Sequence, residues 1–352
     1  MKILVDARPL IDASSGGVRR VGIGLIQALI KNNPDWEFVL ATTGRKKKDL
    51  PFLLPKNARH EHLPYPNKLI SLFCLSGLVS FDQLFSKERI DRLFLCNLGF
   101  FGRPKVPYLL LVHDISFLIE PKWFSKKARL WHKAVRAKKS ISGAQHLFAV
   151  SERTRQDLME YCAIPPSHIT HIELGTSVLS ELTKKQVEGR YVLALGGNDL
   201  RKNAGCAIEA VNALRSLSEF QDVRLVLIGG NPVFDMQDKQ EGRVIYLRPS
   251  DAELASLYKY ASAFLYPSWY EGFGLPLHEA AQFGTPCIAA TAGALPETAP
   301  RGTLFAPPSK PQLWQSALEM ILKSPHEFFT QTQQKSWNAS AQTIQKTLAE
   351  HL

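Results

Sequence analysis

"SWYEGFGLPLHEAAQFGTPCIAA", residues 268–290, places two carboxylates, Glu271 and Glu279, on either side of a glycine-rich, aromatic turn. The run before it, "AFLYPSW", has the composition of a strand, and "PCIAA" near its end begins another. Between them Pro276 suits the first turn of a helix and Gly284 the residue that ends it. The stretch therefore reads strand, loop, helix, strand. Runs that are apolar on both faces and separated by helices belong to parallel sheets covered on each side.

The same alternation extends outward in both directions. In the second half the expected strands are "YVLALGG", "RLVLIGG", "VIYL", "AFLYPS", "PCIAA" and "TLFAP". In the first half they are "KILVDA", "EFVLAT", "RLFLCN", "YLLLVHD", "HLFAVS" and "THIEL". Each half reads as a doubly wound α/β domain. A polar stretch, 175–190, precedes the fresh start of the strand pattern and marks the hinge. The organisation expected is a domain over 1–178, a second over 179–330, and a C-terminal helix over 331–352 that crosses back to the first.

The chain has 352 residues, 45% of them hydrophobic and 21% charged, which supports two ordinary globular cores. "MKILVDARPL" carries Asp6 and Arg8 where a signal peptide would be apolar, so it reads as a buried first strand. "LISLFCLSGLVSF", residues 69–81, is too short to span a membrane and reads as a core helix. Five scattered cysteines without a CxxC pair suit free thiols in a reducing cytoplasm.

The net charge of +11 is uneven. Residues 1–190 hold 30 Lys and Arg against 17 Asp and Glu, and the remainder hold 13 against 15. The basic character belongs to the first half, which points to an anionic partner there. It is densest in "PKWFSKKARLWHKAVRAKKS", residues 121–140, with eight Lys or Arg, no acid and interleaved Trp123, Phe124 and Trp131. A solvated helix face explains such a run about as well as a function. As a functional feature it suits an anionic membrane surface. Nucleic acid ranks below that and is not expected, since no nucleic-acid-binding motif accompanies the run.

Four groups carry candidate chemistry. In "EGFGLP", Gly272 and Gly274 allow close approach of backbone to a ligand, and the following helix start presents unpaired N–H groups to a phosphate. Glu279, within that helix, can only accept hydrogen bonds and so suits sugar hydroxyls. Either glutamate alone is commonly a turn or surface residue; the pair around GFGLP is the informative feature. In "LALGGNDLRKN", residues 193–203, a strand ends in a glycine pair and Arg201 and Lys202 follow, a fork and a point charge able to neutralise a diphosphate. A plain basic loop is the competing explanation. In "LLLVHDISF", residues 109–117, His113 ends a strand, where it is either a satisfied core histidine or a group facing a substrate. The glycine loop "SSGGVRRVG", residues 14–22, opens a helix and is either a turn or a second phosphate contact. There is no DxD pair, no HExxH, no cysteine cluster and no Walker lysine, so diphosphate charge is expected to be met by side chains rather than Mg²⁺. His60 and His62 are read as surface residues.

The motifs, in their order, resemble the GT4 family of glycosyltransferases (glycosyl transferases group 1), which have the GT-B fold. The resemblance runs almost end to end, through "DARPL", "VHDISF", "VSERTRQDL", "GGNDLRKN", "LIGG", "YPSWYEGFGLPLHEAAQFGTPCIA" and "GALPET". Glu271-x7-Glu279 around EGFGLP is its specific part. It implies two Rossmann-like domains facing each other across a cleft, and metal-independent, retaining transfer of a hexose, mannose- or glucose-type, from a nucleotide diphosphate-sugar. The acceptor implied is a polysaccharide, lipopolysaccharide or lipid-linked glycan. By the resemblance Arg201 and Lys202 bind the diphosphate and Glu279 the ribose. Glu271 lies by the donor sugar, and His113 near the reaction centre. Gly272, Phe273, Gly274 and Leu275 hold sugar hydroxyls and phosphate, and Gly16 and Gly17 close over the donor. The implied chemistry is same-face attack, with the leaving phosphate oxygen taking the acceptor's proton. The implied location is cytoplasmic, peripheral on the inner face of the membrane. Leu174 and Ala292 stand where the family often has Asn, so donor preference is not read from them. Arg19 and Arg20 replace small or aromatic residues and suit an anionic acceptor. A sugar-nucleotide epimerase of the same architecture and a non-catalytic nucleotide-sugar binder are the alternatives.

Overall fold

The computed structural model describes residues 1–12, 16–85, 88–176, 179, 184–196, 199–229, 243–331 and 335–350. The chain divides into two compact units. Unit 1 comprises Met1–Ile119, Ser125–Gly175 and Lys335–Leu352, and unit 2 comprises Glu120–Phe124 and Thr176–Gln334.

Unit 1 is built on seven parallel strands: β1 (Lys2–Asp6), β2 (Glu37–Thr43), β3 (Ala58–Leu63), β4 (Arg92–Leu95), β5 (Tyr108–Val112), β6 (His146–Ala149) and β7 (Ile169–His171). Their order across the sheet is β3-β2-β1-β4-β5-β6-β7. The central strands are buried along nearly their whole length, with Val5 registered between Leu40 and Phe94. Such strands have no solvent face, hence their unbroken apolar runs. Unit 2 repeats the plan with β8 (Tyr191–Leu195), β9 (Arg224–Ile228), β10 (Val244–Leu247), β11 (Ala263–Tyr266), β12 (Cys287–Ala290) and β13 (Leu304–Ala306). Their order is β10-β9-β8-β11-β12-β13, again all parallel. Each sheet reverses direction of growth once, between β1 and β4 and between β8 and β11. At such a point the loops leaving the two strands diverge to opposite faces and open a crevice at the carboxyl edge.

The C-terminal helix, Trp337–Glu350, packs against the first long helix, Gly16–Asn32, inside unit 1. Much of the hinge expected over 175–190 falls on 177–178 and 180–183, which lie outside the described residues.

Two expectations are corrected. The apolar segment 69–81 is not a core helix. It forms a helix, Asn67–Ser76, stopped by Gly77 in the left-handed region (φ 78°), and a separate short turn of helix at Phe81–Leu84. The first of these buries only Ile70 and Cys74, while Leu72 is 59% and Leu78 73% exposed. Uniform apolar composition carries no period, so it could not tell an inward from an outward face. The second correction is β3, "ARHEHL", which was not expected as a strand. It lies at the sheet's edge with every residue half-buried, and an edge strand tolerates polar side chains. His60 and His62 on it both bond the Thr42 hydroxyl, at 2.7 and 3.0 Å.

Candidate functional site

Arg201, Lys202 and Glu271 come together at the carboxyl edge of unit 2's sheet. β8 and β11 are the neighbours at its reversal point, so the loops that leave them are adjacent. After β8 comes a single 3-10 turn, Leu200–Lys202, whose first N–H groups are capped by Asp199 (3.0 Å to the Arg201 N–H). Asn203 follows with φ 53°, and its side-chain amide donates to the carbonyls of Pro267 (3.0 Å) and Pro308 (2.8 Å). The Trp269 N–H donates to the Arg201 carbonyl at 2.8 Å. The two loops are thus joined through backbone before any charged side chain meets another.

Lys202 Nζ lies 2.7 Å from Glu271 Oε1, and Arg201 Nη1 3.3 Å from Oε2. Arg201 also donates to the Tyr270 carbonyl (3.1 Å) and pairs with Asp199 (3.3 Å). Lys202 donates to the Tyr266 hydroxyl (3.0 Å). Glu271 is 7% exposed. Burial alone would push its carboxyl up, but the Lys202 and Arg201 charges outweigh it and hold the group at about 2. Burial and the Glu271 charge push the Tyr266 hydroxyl well above its usual range. At neutral pH the cluster is therefore one carboxylate, one neutral phenol and two cations whose side chains keep 14% and 17% of their surface open.

Gly293 (φ 57°) presses on the backbone behind Glu271. A Cβ there would stand 2.5 Å from the Glu271 carbonyl oxygen and 2.6 Å from its nitrogen. The Ala294 N–H bonds that same carbonyl at 2.9 Å.

Gly272, Phe273, Gly274 and Leu275 follow directly. Gly274 adopts φ 92° and opens the helix Leu275–Ala281, with Pro276 in its first turn. The Phe273 ring stacks on His278 (centroids 5.1 Å apart), and its carbonyl accepts from the Thr298 hydroxyl. The helix stops at Ala281, earlier than expected; Gly284 (φ 71°) closes the turn that follows. Glu279 is buried in this helix and accepts from the Tyr258 hydroxyl at 3.2 Å.

The remaining candidates belong to unit 1, apart from residues 121–124 of the basic run, which fall in unit 2. Gly16 (φ 45°) and Gly17 are exposed at the start of the helix Gly16–Asn32; residues 13–15, the first part of that loop, lie outside the described residues. His113 follows β5, and its Nε2 is 2.9 Å from the Cys96 carbonyl. A carbonyl only accepts, so Nε2 carries the proton and Nδ1 keeps a lone pair able to accept from a hydroxyl. Burial pushes the His113 pKa down, so the ring is neutral at pH 7. Arg19, read as a group for an anionic acceptor, donates through Nε to the Leu10 carbonyl at 3.0 Å. The basic run 121–140 forms the helices Lys126–Ala134 and Ala137–Ser142, and its lysines and arginines are exposed. In the first of these no residue is buried, and Leu130 is 69% exposed.

Four contributors were not anticipated. Tyr258 and Tyr266 look like core aromatics in sequence, and only the structure shows their hydroxyls on carboxylate or ammonium. Asp199 and Asn203 lie in the quoted loop, where an Asp one turn before Arg-Lys and an Asn before the next helix are legible as caps.

Residues 15–178 match the family model described as Glycosyltransferase Family 4, and residues 189–324 that described as Glycosyl transferases group 1. Among curated proteins the chain is similar to the O-antigen chain mannosyltransferase B of Escherichia coli, 29% identical over 56% of each. It is also similar to the O-antigen chain mannosyltransferase RfbU of Salmonella typhimurium, 27% identical over 61% of each. The match thus spans little more than half the length of these relatives. Among solved structures it resembles sucrose-phosphate synthase from Thermosynechococcus elongatus, with a TM-score of 0.65 at 19% identity over 100% of this chain and 97% of that one. It also resembles Anabaena HepE, solved in complex with UDP and glucose, with a TM-score of 0.60 at 16% identity over 100% and 99%. These likenesses show the fold, which is GT-B. With both halves of the sequence matched, the chain belongs to the GT4 family of glycosyltransferases, glycosyl transferases group 1.

Proposed function

We propose that the protein is a retaining glycosyltransferase that moves a mannose-type hexose from a nucleotide diphosphate-sugar to a glycan acceptor of a cell-surface polysaccharide. The observation that carries the reading is the convergence of Arg201 and Lys202 on Glu271 at the crevice of unit 2's sheet. Two cations held in place by a buried carboxylate are preorganised for the charge that builds on a departing diphosphate. In this reading they meet that charge without a metal ion. Glu271 lies beside the donor sugar, and the backbone from Gly272 to Leu275 receives its hydroxyls and phosphate. Glu279, oriented by Tyr258, accepts from the ribose. Gly16 and Gly17 supply backbone to the donor, and His113 accepts from a substrate hydroxyl through Nδ1. Same-face attack then needs no second carboxylate, because the leaving phosphate oxygen removes the acceptor's proton. Mannose is favoured by the two curated relatives, both named mannosyltransferases. That one structural neighbour was solved with UDP and glucose keeps UDP sugars in the test.

The surface of unit 1 supports a place against an anionic membrane. No helix among the described residues is long and apolar enough to cross one. The exposed cations of 121–140 and the outward leucines of the helix Asn67–Ser76 suit peripheral contact from the cytoplasmic side.

A thermal-shift panel of UDP, GDP, ADP and dTDP sugars tests the donor reading without an acceptor. One base should raise Tm by mass action, and Arg201→Ala or Lys202→Ala should weaken that ligand about tenfold or more. An undiminished shift in both variants, or release of an altered free sugar and nucleotide with no acceptor present, would reject it, the latter in favour of epimerisation.

A further inference from the structure

A cavity of about 660 Å³ opens in unit 1, at the carboxyl ends of β1, β2 and β4, where that sheet reverses. Its walls carry four cations, Arg8, Arg45, Lys46 and Lys48, and two acids, Asp6 and Asp12, a balance of +2. Arg8 is committed: it holds Asp6 through two bonds, 2.8 and 2.6 Å, and reaches the Phe100 carbonyl at 3.2 Å. Arg45, Lys46 and Lys48 are exposed and have no ion pair or hydrogen bond among the described residues. They sit on one loop whose start is pinned by His62, bonded to the Gly44 carbonyl at 3.0 Å. The Asn67 side-chain oxygen accepts from the Thr43 hydroxyl, so its amide hydrogens remain to be donated. The same cavity is walled by Phe100 and Trp131, packed edge to face with centroids 5.9 Å apart.

We infer that this cavity binds a phosphate-bearing saccharide, with the phosphate on Arg45, Lys46, Lys48 and the Asn67 amide and the sugar's C–H face on Trp131. Three cations that make no ion pair among the described residues form an anion pole. An indole in the same cavity offers an apolar face with little entropy to lose. A neutral glycan would use the second feature and leave the first unanswered. The inference deepens the proposed transfer by naming its acceptor class. It rests on that reading only for calling the ligand an acceptor. It also moves the anionic contact from Arg19, which is tied to the Leu10 carbonyl, to the loop after β2.

The test is calorimetric titration of the full chain at low salt with mannose 1-phosphate and with mannose. The phosphate should bind and mannose should not. Arg45→Gln/Lys46→Gln/Lys48→Gln should weaken binding about tenfold or more, a loss of at least about 1.4 kcal/mol. Trp131→Ala should weaken it several-fold. Lys202→Met, which disables the candidate donor cluster in unit 2, should leave it within twofold. No arm contains a nucleotide, so failure of the donor reading leaves the titration intact. Polyprenyl phosphate in neutral detergent micelles, added as competitor, separates the sources. Displacement by it assigns a lipid-linked phosphate, and binding of the sugar phosphate without such displacement assigns a soluble one. The inference is overturned by equal binding of mannose and its phosphate, by a triple variant of unaltered affinity and unaltered Tm, by loss in Lys202→Met, or by no binding of either phosphate.

Discussion

Glu271 is held in its charged form by two neighbours, and this has a consequence that can be measured without substrate. Its carboxyl lies at about 2 instead of the ordinary 4.5 because Lys202 and Arg201 overcome the burial that would raise it. Between those two values the unfolded chain binds the proton and the folded one does not. Stability from this group is thus fully present above about 4.5 and is lost as pH falls toward about 2. Glu271→Gln should be less stable than the parent by on the order of 3 kcal/mol at pH 7. Urea denaturation at a series of pH values should show that gap closing in acid; a gap that stays constant from pH 7 to pH 2 would mean the ion pairs do not hold the group. How much of this was readable beforehand follows from the residues themselves. Arg201 and Lys202 were legible as candidates because they follow a strand that ends in a glycine pair, and Glu271 because it is paired with Glu279 around GFGLP. Their pairing was not, since it depends on β8 and β11 being sheet neighbours although about seventy residues separate them in the chain. Gly293 was noticed for its neighbour Ala292, yet its part is steric and comes from another loop altogether.

Among the elements, the strands were the most legible and the helices the least. A strand of a covered parallel sheet is apolar at every position, and every run named in advance overlaps a strand, though β7 takes only Thr170 and His171 of "THIEL". β3 escaped because an edge strand needs no apolar face. The helix Asn67–Ser76 misled for the opposite reason: its composition is that of a buried helix, but Ile70 and Cys74 alone turn inward. No acidic residue occurs between His62 and Phe81, and an exposed apolar face of that kind on a basic unit calls for a partner. Leu72→Ser should reduce cosedimentation with phosphatidylglycerol vesicles. Replacing Lys126, Lys127, Lys133, Lys138 and Lys139 with Gln should reduce it further and remove its salt dependence. Because these side chains are exposed, Tm should move little in either variant. Vesicle binding equal to the parent's in both would leave the membrane contact without support.

Each unit has its own sheet and core, and the C-terminal helix belongs by contact to unit 1, although unit 2 precedes it in the chain. Trp337 anchors that helix. A Cβ on Gly24 would fall 2.3 Å from Cε2 of its indole, and one on Gly175 2.5 Å from Cδ2, so both glycines are there for lack of a side chain. Lys335 and the Ser340 hydroxyl add bonds to the carboxylate and carbonyl of Glu173, the first at 3.2 Å. Calorimetry should therefore resolve two unfolding transitions. Gly24→Val should lower one of them by roughly 2–12 °C, the equivalent of about 1–3 kcal/mol of overpacking in a unit of this size. The nucleotide sugar identified in the thermal-shift panel should raise the other by more, because a ligand stabilises most the unit that supplies most of its contacts. If the nucleotide raised the transition that Gly24→Val lowers, and left the second where it was, the donor would have to be reassigned to unit 1 and the Arg201–Lys202–Glu271 cluster would be a structural ion pair alone.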